Sequence, residues 1–160
     1  RKAGMLLPAD FRRHHLALQW LTWQVAGLGP MVGQAAHFVR YAPEGQAYGI
    51  ERYTREARRL LNVLDGRLRE AEYLAGEYSI ADIACWPGVQ NIRNFDMSFD
   101  EFPAIRRWSE AIAARPAVAA AGASPEKGVP SAYVKRPMTL KPEQWSNIFG
   151  ENLWRATERQ

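Results

Sequence analysis

The chain has 160 residues, 47% of them apolar and 24% charged, the proportions of an ordinary globular protein, which exclude a disordered chain and leave no room for two large domains. Lys and Arg outnumber Asp and Glu 21 to 17, yet the signs interleave, as in Glu51, Arg52, Arg55, Glu56, Arg58 and Arg59. That is a helix surface and not the single-signed stripe of a nucleic-acid binder, so no nucleic acid is expected as a partner.

Taken in chain order, Gly4-Met5-Leu6-Leu7-Pro8 reads as a turn. From Asp10 onward apolar residues recur at Leu16, Trp20 and Trp23 and at Leu18, Leu21 and Val25, which is helical spacing. Gly27-Leu28-Gly29-Pro30 interrupts this long first helix. Proline has no N–H to donate and crowds the preceding turn, so the spacing predicts a kink that frees the Ala26 carbonyl, then helix again to Phe38 or Arg40. Tyr41 to Gly45 is loop.

The second helix carries one apolar stripe, Ile50, Tyr53, Ala57, Leu60, Leu61, Leu64 and Leu68, with Glu51, Arg55, Arg58, Asn62 and Asp65 turned elsewhere. Glu51 to Arg55 and Asp65 to Arg69 are i, i+4 pairs, each worth about 0.2–0.5 kcal/mol and read as helix support.

Ser79-Ile80-Ala81-Asp82 is a capping box with aspartate at its last position, with Tyr78 placed to staple Ile83. The third helix starts there and meets Pro87, which is expected to bend it. A fourth follows Pro103, packs through Ile105, Trp108 and Ile112, and stops at Arg115-Pro116 before an alanine-rich turn. Residues 124–141 are rich in Pro, Gly, Ser and Lys and read as a linker-like tail. Pro142 to Phe149 then predicts one amphipathic helix with Trp145, Ile148 and Phe149 on a face. No strand-like alternation is long enough to build a sheet, so the expected fold class is all-α.

Little of the usual chemistry is present. His14 and His15 are adjacent, about 100° apart on a helix, and cannot chelate one ion together, so no metal is expected. The single cysteine, Cys85, excludes an internal disulfide and a cysteine zinc site, and reads as a buried inert thiol. Ser79 is explained as a cap, and Gly27 to Gly33 follows no strand and so is no nucleotide loop. No apolar run approaches the roughly 18 residues of a membrane span. Together with the lone thiol this points to a reducing, cytoplasmic setting with no membrane partner.

Two places invite a ligand. Trp20, Trp23, Gln24, Met31, Gln34, His37 and Phe38 put aromatic and polar groups around the broken helix, either as a pocket wall or as core tryptophans with solvated polar neighbours. Arg52 is either an anion contact, a solvated helix arginine or the partner of Glu56.

The strings Leu18-Gln19-Trp20-Leu21-Thr22-Trp23-Gln24-Val25, Gly27-Leu28-Gly29-Pro30-Met31-Val32-Gly33-Gln34, Tyr73 through Ser79-Ile80-Ala81-Asp82 to Ala84, and Phe102-Pro103-Ala104-Ile105 through Trp108 to Arg115-Pro116-Ala117-Val118 closely resemble the C-terminal helical domain of glutathione transferases. The resemblance runs from about residue 1 to 122. The first-helix string and Ile50-Glu51-Arg52-Tyr53 are similar to the bacterial Nu-class enzymes, glutathione-dependent disulfide-bond oxidoreductases, and to the related yeast prion-type domain. The capping box of Ser79 and Asp82 and the Arg-Pro-Ala-Val ending are shared more widely, so they speak for fold and not for substrate.

The resemblance implies a glutathione-transferase C-terminal-like helical bundle with a kinked long first helix and an extended C-terminal tail. Residues 1–8 would be the remnant of an interdomain linker, 9–122 the helical domain, and 123–160 the tail with a short helix. The first residue is arginine and not methionine, which fits an upstream thioredoxin-like domain absent from this chain. In the family that domain binds glutathione, the co-substrate, and activates its thiol. No residue of this chain is then expected to be catalytic, and the chain alone is expected to be inactive.

What the resemblance carries over is narrower. Arg52 would meet a carboxylate of glutathione or of a second glutathione in a disulfide, and Trp23, Gln24, Met31, Gln34, His37 and Phe38 would line the second-substrate side of the cleft. The first two helices would pack across a two-fold axis in a homodimer. The complete enzyme would reduce disulfides or peroxides, or conjugate electrophiles. The competing reading is a non-catalytic protein-interaction module of the same fold.

Overall fold

The computed structural model describes residues 5–122, 140–156 and 158. The expected linker residues 1–4 and the tail over 123–139 lie outside the described residues. Among the described residues there are helices and turns and no strand, in keeping with the all-α expectation.

Helix α1 (Phe11–Trp23) is capped by Asp10, whose carboxylate accepts from the Arg13 N–H at 2.9 Å. It passes through a π-helical turn, Gln24–Leu28, into α2 (Gly29–Arg40). The expected kink takes this form for a physical reason. Pro30 cannot donate to the Ala26 carbonyl, and the ladder slips by one residue so that the Gly29 N–H reaches the Gln24 carbonyl. A Cβ at position 29 would come 3.2 Å from the Gln24 carbonyl oxygen, the same atom that accepts the Gly29 N–H, so the turn is tight here for any larger residue.

Helix α3 (Ala47–Glu70) packs along α2 and supplies the fully buried Ala57, Leu61 and Leu64. Two expectations for it are corrected. Ile50, placed on the buried stripe, is 38% exposed. Asp65, placed among solvated residues, is buried: its Oδ1 accepts from the N–H groups of Ala104 and Ile105 at 3.0 and 3.1 Å, and its Oδ2 pairs with Arg69. The carboxylate thus caps a helix distant in sequence, where a negative charge meets the positive end of the helix dipole.

Helix α4 (Ile80–Val89) begins at the Ser79 capping box and runs through Pro87 to Val89. Its first N–H outside the box, that of Ile80, donates to the Leu6 carbonyl at 2.9 Å and ties the chain's opening segment to this helix. Tyr78 packs edge-on to Tyr73 and carries the Arg115 guanidinium 3.6 Å from its ring centre, while Ile83 stays 42% exposed. Two 3-10 turns, Ile92–Phe95 and Phe99–Glu101, lead to α5 (Pro103–Ala113), which has proline in its first turn as expected. Its Ile105, Trp108 and Ile112 close the core against α3.

The alanine-rich turn is a short helix, α6 (Pro116–Gly122). The tail holds α7 (Pro142–Ile148), as the pattern predicts, and a second short helix, α8 (Glu151–Arg155), which it does not. Among the described residues no helix is long and apolar enough to cross a membrane.

Candidate functional site

The C-terminal half of α2, the start of α3 and α7 meet around a group of rings. Phe38 stacks on Tyr53 with centroids 5.1 Å apart and planes at 22°. A Cβ on Gly49 would overlap the Phe38 ring, so glycine at this buried position lets α3 approach α2 closely. His37 lies edge-on to Phe149 at 4.7 Å and faces Trp145 at 6.1 Å. Tyr41 completes the group 5.3 Å from Phe149.

Arg52 is exposed and makes no hydrogen bond or ion pair among the described residues. Its neighbours are engaged: Arg55 pairs with Glu51, and the Arg59 guanidinium binds both carboxylate oxygens of Glu56. That hydrogen bond from Arg59 is the main reason the Glu56 carboxyl lies below its ordinary range, with Arg52 adding only a weak field. The Arg52–Glu56 pair, one alternative the sequence allows, is therefore not the one formed. Arg52 follows Glu51 and precedes Tyr53, which places a free guanidinium one residue from the ring that carries Phe38.

The other sequence-predicted residues are strung along the helix instead of gathered with these. Trp23 packs edge-on to Trp20 at 5.1 Å, and both are half-buried against the core. Gln24 opens the π turn. Met31 is half-buried and Gln34 exposed. At 1.5 Å per residue, Trp23 and Gln24 stand about 20 Å along the helix from His37 and Phe38. The structure brings His37 and Phe38 into the ring cluster and leaves Trp23 and Gln24 at the other end.

A concavity of about 870 Å³ lies elsewhere, between the end of α4, the 3-10 turns and α5. It is lined by Arg93, Phe99, Arg106, Ser109 and Glu110 among others, and by none of the sequence-predicted ligand residues. The buried Ser109 hydroxyl oxygen accepts from the Trp86 indole at 3.2 Å and the Gln90 amide at 2.9 Å. Sequence reasoning missed this hollow. A signal was available in Ser98 and Glu101, which form a second capping box just before Pro103.

Among the described residues no group of His, Cys, Asp and Glu could hold a metal ion. The adjacent His14 and His15 direct their Nδ1 atoms to the carbonyls of Pro8 and Phe11. Ser79 and Asp82 are fully buried and act as a cap: the Ser79 N–H donates to Asp82 at 3.0 Å. Burial pushes the Cys85 thiol up to about 12, with the nearby Asp82 charge adding to the effect.

Residues 28–116 match the family described as the C-terminal domain of glutathione S-transferase. The disulfide-bond oxidoreductase YfcG of Escherichia coli is 48% identical over 117 residues, covering 72% of this chain and 54% of that protein. The disulfide-bond oxidoreductase YghU of the same organism is 38% identical over 73% of this chain and 43% of its own length. Among solved structures, a glutathione transferase from Burkholderia graminis with two glutathione molecules per subunit superposes with a TM-score of 0.72 at 38% identity, over 79% of this chain and 56% of that one. One from Pseudomonas putida, with one glutathione disulfide per subunit, gives 0.68 at 38% identity over 74% and 55%. The chain spans about half the length of the curated relatives it matches. The match extends from the last residue of the π turn to the first residue of α6, and the chain belongs to the glutathione S-transferase family as a C-terminal domain.

Proposed function

We propose that this chain is the second-substrate and dimerisation domain of a glutathione transferase that works on disulfides, with peroxide reduction and conjugation of electrophiles as related activities of the same thiol. The observation that carries the reading is the 48% identity over 117 residues to a disulfide-bond oxidoreductase. In this reading an upstream thioredoxin-like domain binds glutathione and lowers the pKa of its thiol. The thiolate attacks one sulfur of a disulfide and the other sulfur leaves as a thiolate.

The share of this chain is recognition. Arg52 has its donors free for a carboxylate of glutathione or glutathione disulfide, a contact a guanidinium can make in bidentate fashion. His37 and Phe38 form the second-substrate wall at one end of α2, and Met31, Gln34, Gln24 and Trp23 continue it along the helix. Exposed Phe11 and Leu18 on α1 and Val25 in the π turn recur every seven residues, an apolar stripe that supports packing against a second copy or the upstream domain. In this reading a glutathione-dependent thiol chemistry, which needs a reducing compartment, supports a cytoplasmic setting.

The test is calorimetric titration of glutathione and glutathione disulfide into the 160-residue chain and into the full-length product of its gene. Binding is expected only for the full-length protein. Arg52→Ala is expected to weaken its affinity for the disulfide about tenfold, the loss of one charge-assisted contact. A full-length protein that binds neither form overturns the reading and leaves a protein-interaction module.

A further inference from the structure

We infer that the hollow between α4 and α5 is a binding site in its own right, suited to a small zwitterion of the amino-acid kind. Arg93 would meet the ligand's carboxylate, Glu110 its ammonium, and the Ser109 hydroxyl would donate from the floor. The inference does not depend on the transferase reading, because none of these residues is among those proposed to meet glutathione or the second substrate.

The hollow is built before any ligand arrives. At about 870 Å³ it falls within the range of about 300–1,000 Å³ common for small-molecule sites. The loop that walls it is held from two sides. Phe95, Met97 and Phe102 are buried in the core, while the Ser98 N–H donates to the Glu101 carboxylate at 2.8 Å and the Asp100 N–H donates to the Ser98 hydroxyl at 3.2 Å. Glu101 is tied in turn to Arg58 on α3.

Ser109 supplies the most specific feature. Its side chain lines the hollow and the residue is only 7% exposed. The hydroxyl oxygen accepts from the Trp86 indole at 3.2 Å and from the Gln90 amide at 2.9 Å. The same Gln90 nitrogen also reaches the Trp86 carbonyl at 3.3 Å, which fixes the amide with its nitrogen toward Ser109. A serine oxygen has two lone pairs, so both are taken and only the proton remains. Thr54 gives its proton to the Ile50 carbonyl one turn back, at 2.6 Å, whereas the Ser109 proton has no acceptor among the described residues. A buried donor left over in this way asks for an acceptor from outside.

The charges around the hollow divide into engaged and free. Arg106 pairs with Asp100 and Glu101 with Arg58. Arg93 lies over the half-buried Phe99 ring, 5.7 Å from its centre, and makes no ion pair among the described residues. Glu110, next to Ser109 on α5, is exposed and makes none either. The Arg93 guanidinium and the Ser109 proton both call for a carboxylate. Glu110 calls for a cation. A simple anion would leave the Glu110 charge unanswered and a simple cation that of Arg93, so a ligand carrying both signs is favoured over either. Phe99 offers the same ligand an apolar surface. A free amino acid and a short peptide share this chemistry.

The experiment is calorimetric titration of the full-length gene product with four probes. Two are zwitterions, L-phenylalanine and a dipeptide of alanine and phenylalanine. The others are phenylpropionate, which lacks the ammonium, and phenethylamine, which lacks the carboxylate. At least one zwitterion is expected to bind about tenfold more tightly than either truncated probe, and the tighter of the two tells free amino acid from peptide. Arg93→Gln is expected to weaken that zwitterion about tenfold while leaving phenethylamine unchanged. Glu110→Gln should weaken it to a similar degree while leaving phenylpropionate unchanged. Both side chains are exposed, so these variants keep the fold. Ser109→Ala should weaken the zwitterion and phenylpropionate alike, with a thermal melt to show that the variant is folded at the titration temperature. The inference is overturned if neither zwitterion binds below about 10 mM, if a truncated probe binds as tightly as both, or if Arg93→Gln and Glu110→Gln each leave the affinity within about twofold.

Discussion

The indole Nε1 of Trp108 donates to Oδ1 of Asp82 at 2.8 Å, joining α5 to the start of α4, and both side chains are fully buried. The same carboxylate accepts from the N–H groups of Leu74 and Ser79, each at 3.0 Å, and from the Ser79 hydroxyl at 3.1 Å. A residue that looks like a local helix cap thus also holds the loop after α3 and the central tryptophan.

Asp82→Ala removes every one of those acceptors and leaves buried donors unpaired, at about 1–3 kcal/mol each. The expected loss is about 3 kcal/mol or more, read as a fall in the urea midpoint with little change in slope. Ser79→Ala should cost less, about 1 kcal/mol, because it removes a cap and leaves the indole paired. Equal losses for the two would refute the cross-link.

Asp65 offers a similar contrast between its two partners. Its bond to the Ala104 and Ile105 N–H groups is buried, whereas Arg69 on its other oxygen is 67% exposed. Asp65→Ala is expected to destabilise by about 2–3 kcal/mol, and Arg69→Ala by less than about 1 kcal/mol. A double variant no worse than Asp65→Ala would show that the arginine acts only through the carboxylate.

Two glycines of α3 should respond in opposite directions to alanine. At Gly49 a Cβ collides with the Phe38 ring, and overpacking is expected to cost about 1–3 kcal/mol, relieved in part by Phe38→Leu. At exposed Gly66 nothing lies within 4 Å of the added methyl, and the better helix propensity of alanine should stabilise by up to about 1 kcal/mol. Thermal melts of the three variants decide the matter.

Helix limits were legible because they are local chemistry: Asp10 and Ser79 as caps, Pro103 in a first turn, and Pro30 as a disturbance of the ladder. What escaped was set by partners distant in sequence. Asp65 has a helical i+4 arginine, so its pattern points to the surface, and nothing nearby announces that α5 will present its N–H groups. The π turn in place of a simple kink depends on which carbonyl the Gly29 N–H can reach. For the candidate site, residue types on α2 were readable but their gathering was not. Whether His37 and Phe38 share a cluster depends on α3 and on α7, which returns from the far end of the chain.

Cys85 tests whether this domain contributes a thiol of its own to disulfide chemistry. It is fully buried, and loss of hydration, with the Asp82 charge second, raises its pKa from 9.0 to about 12. The nucleophile in thiol chemistry is the thiolate, so native Cys85 should resist iodoacetamide at pH 8 and react only as the core opens. Urea should accelerate alkylation in step with unfolding. The raised pKa also fixes a sign: the folded state holds this proton more tightly, so the associated stability is fully present below the unfolded value near 9.0 and is lost as pH climbs toward 12. Cys85→Ala should flatten that alkaline decline without altering stability's dependence on pH below 8. Rapid alkylation of the native protein at pH 8 would mean a thiolate is present, and the proposed assignment of all sulfur chemistry to an upstream domain would have to be abandoned.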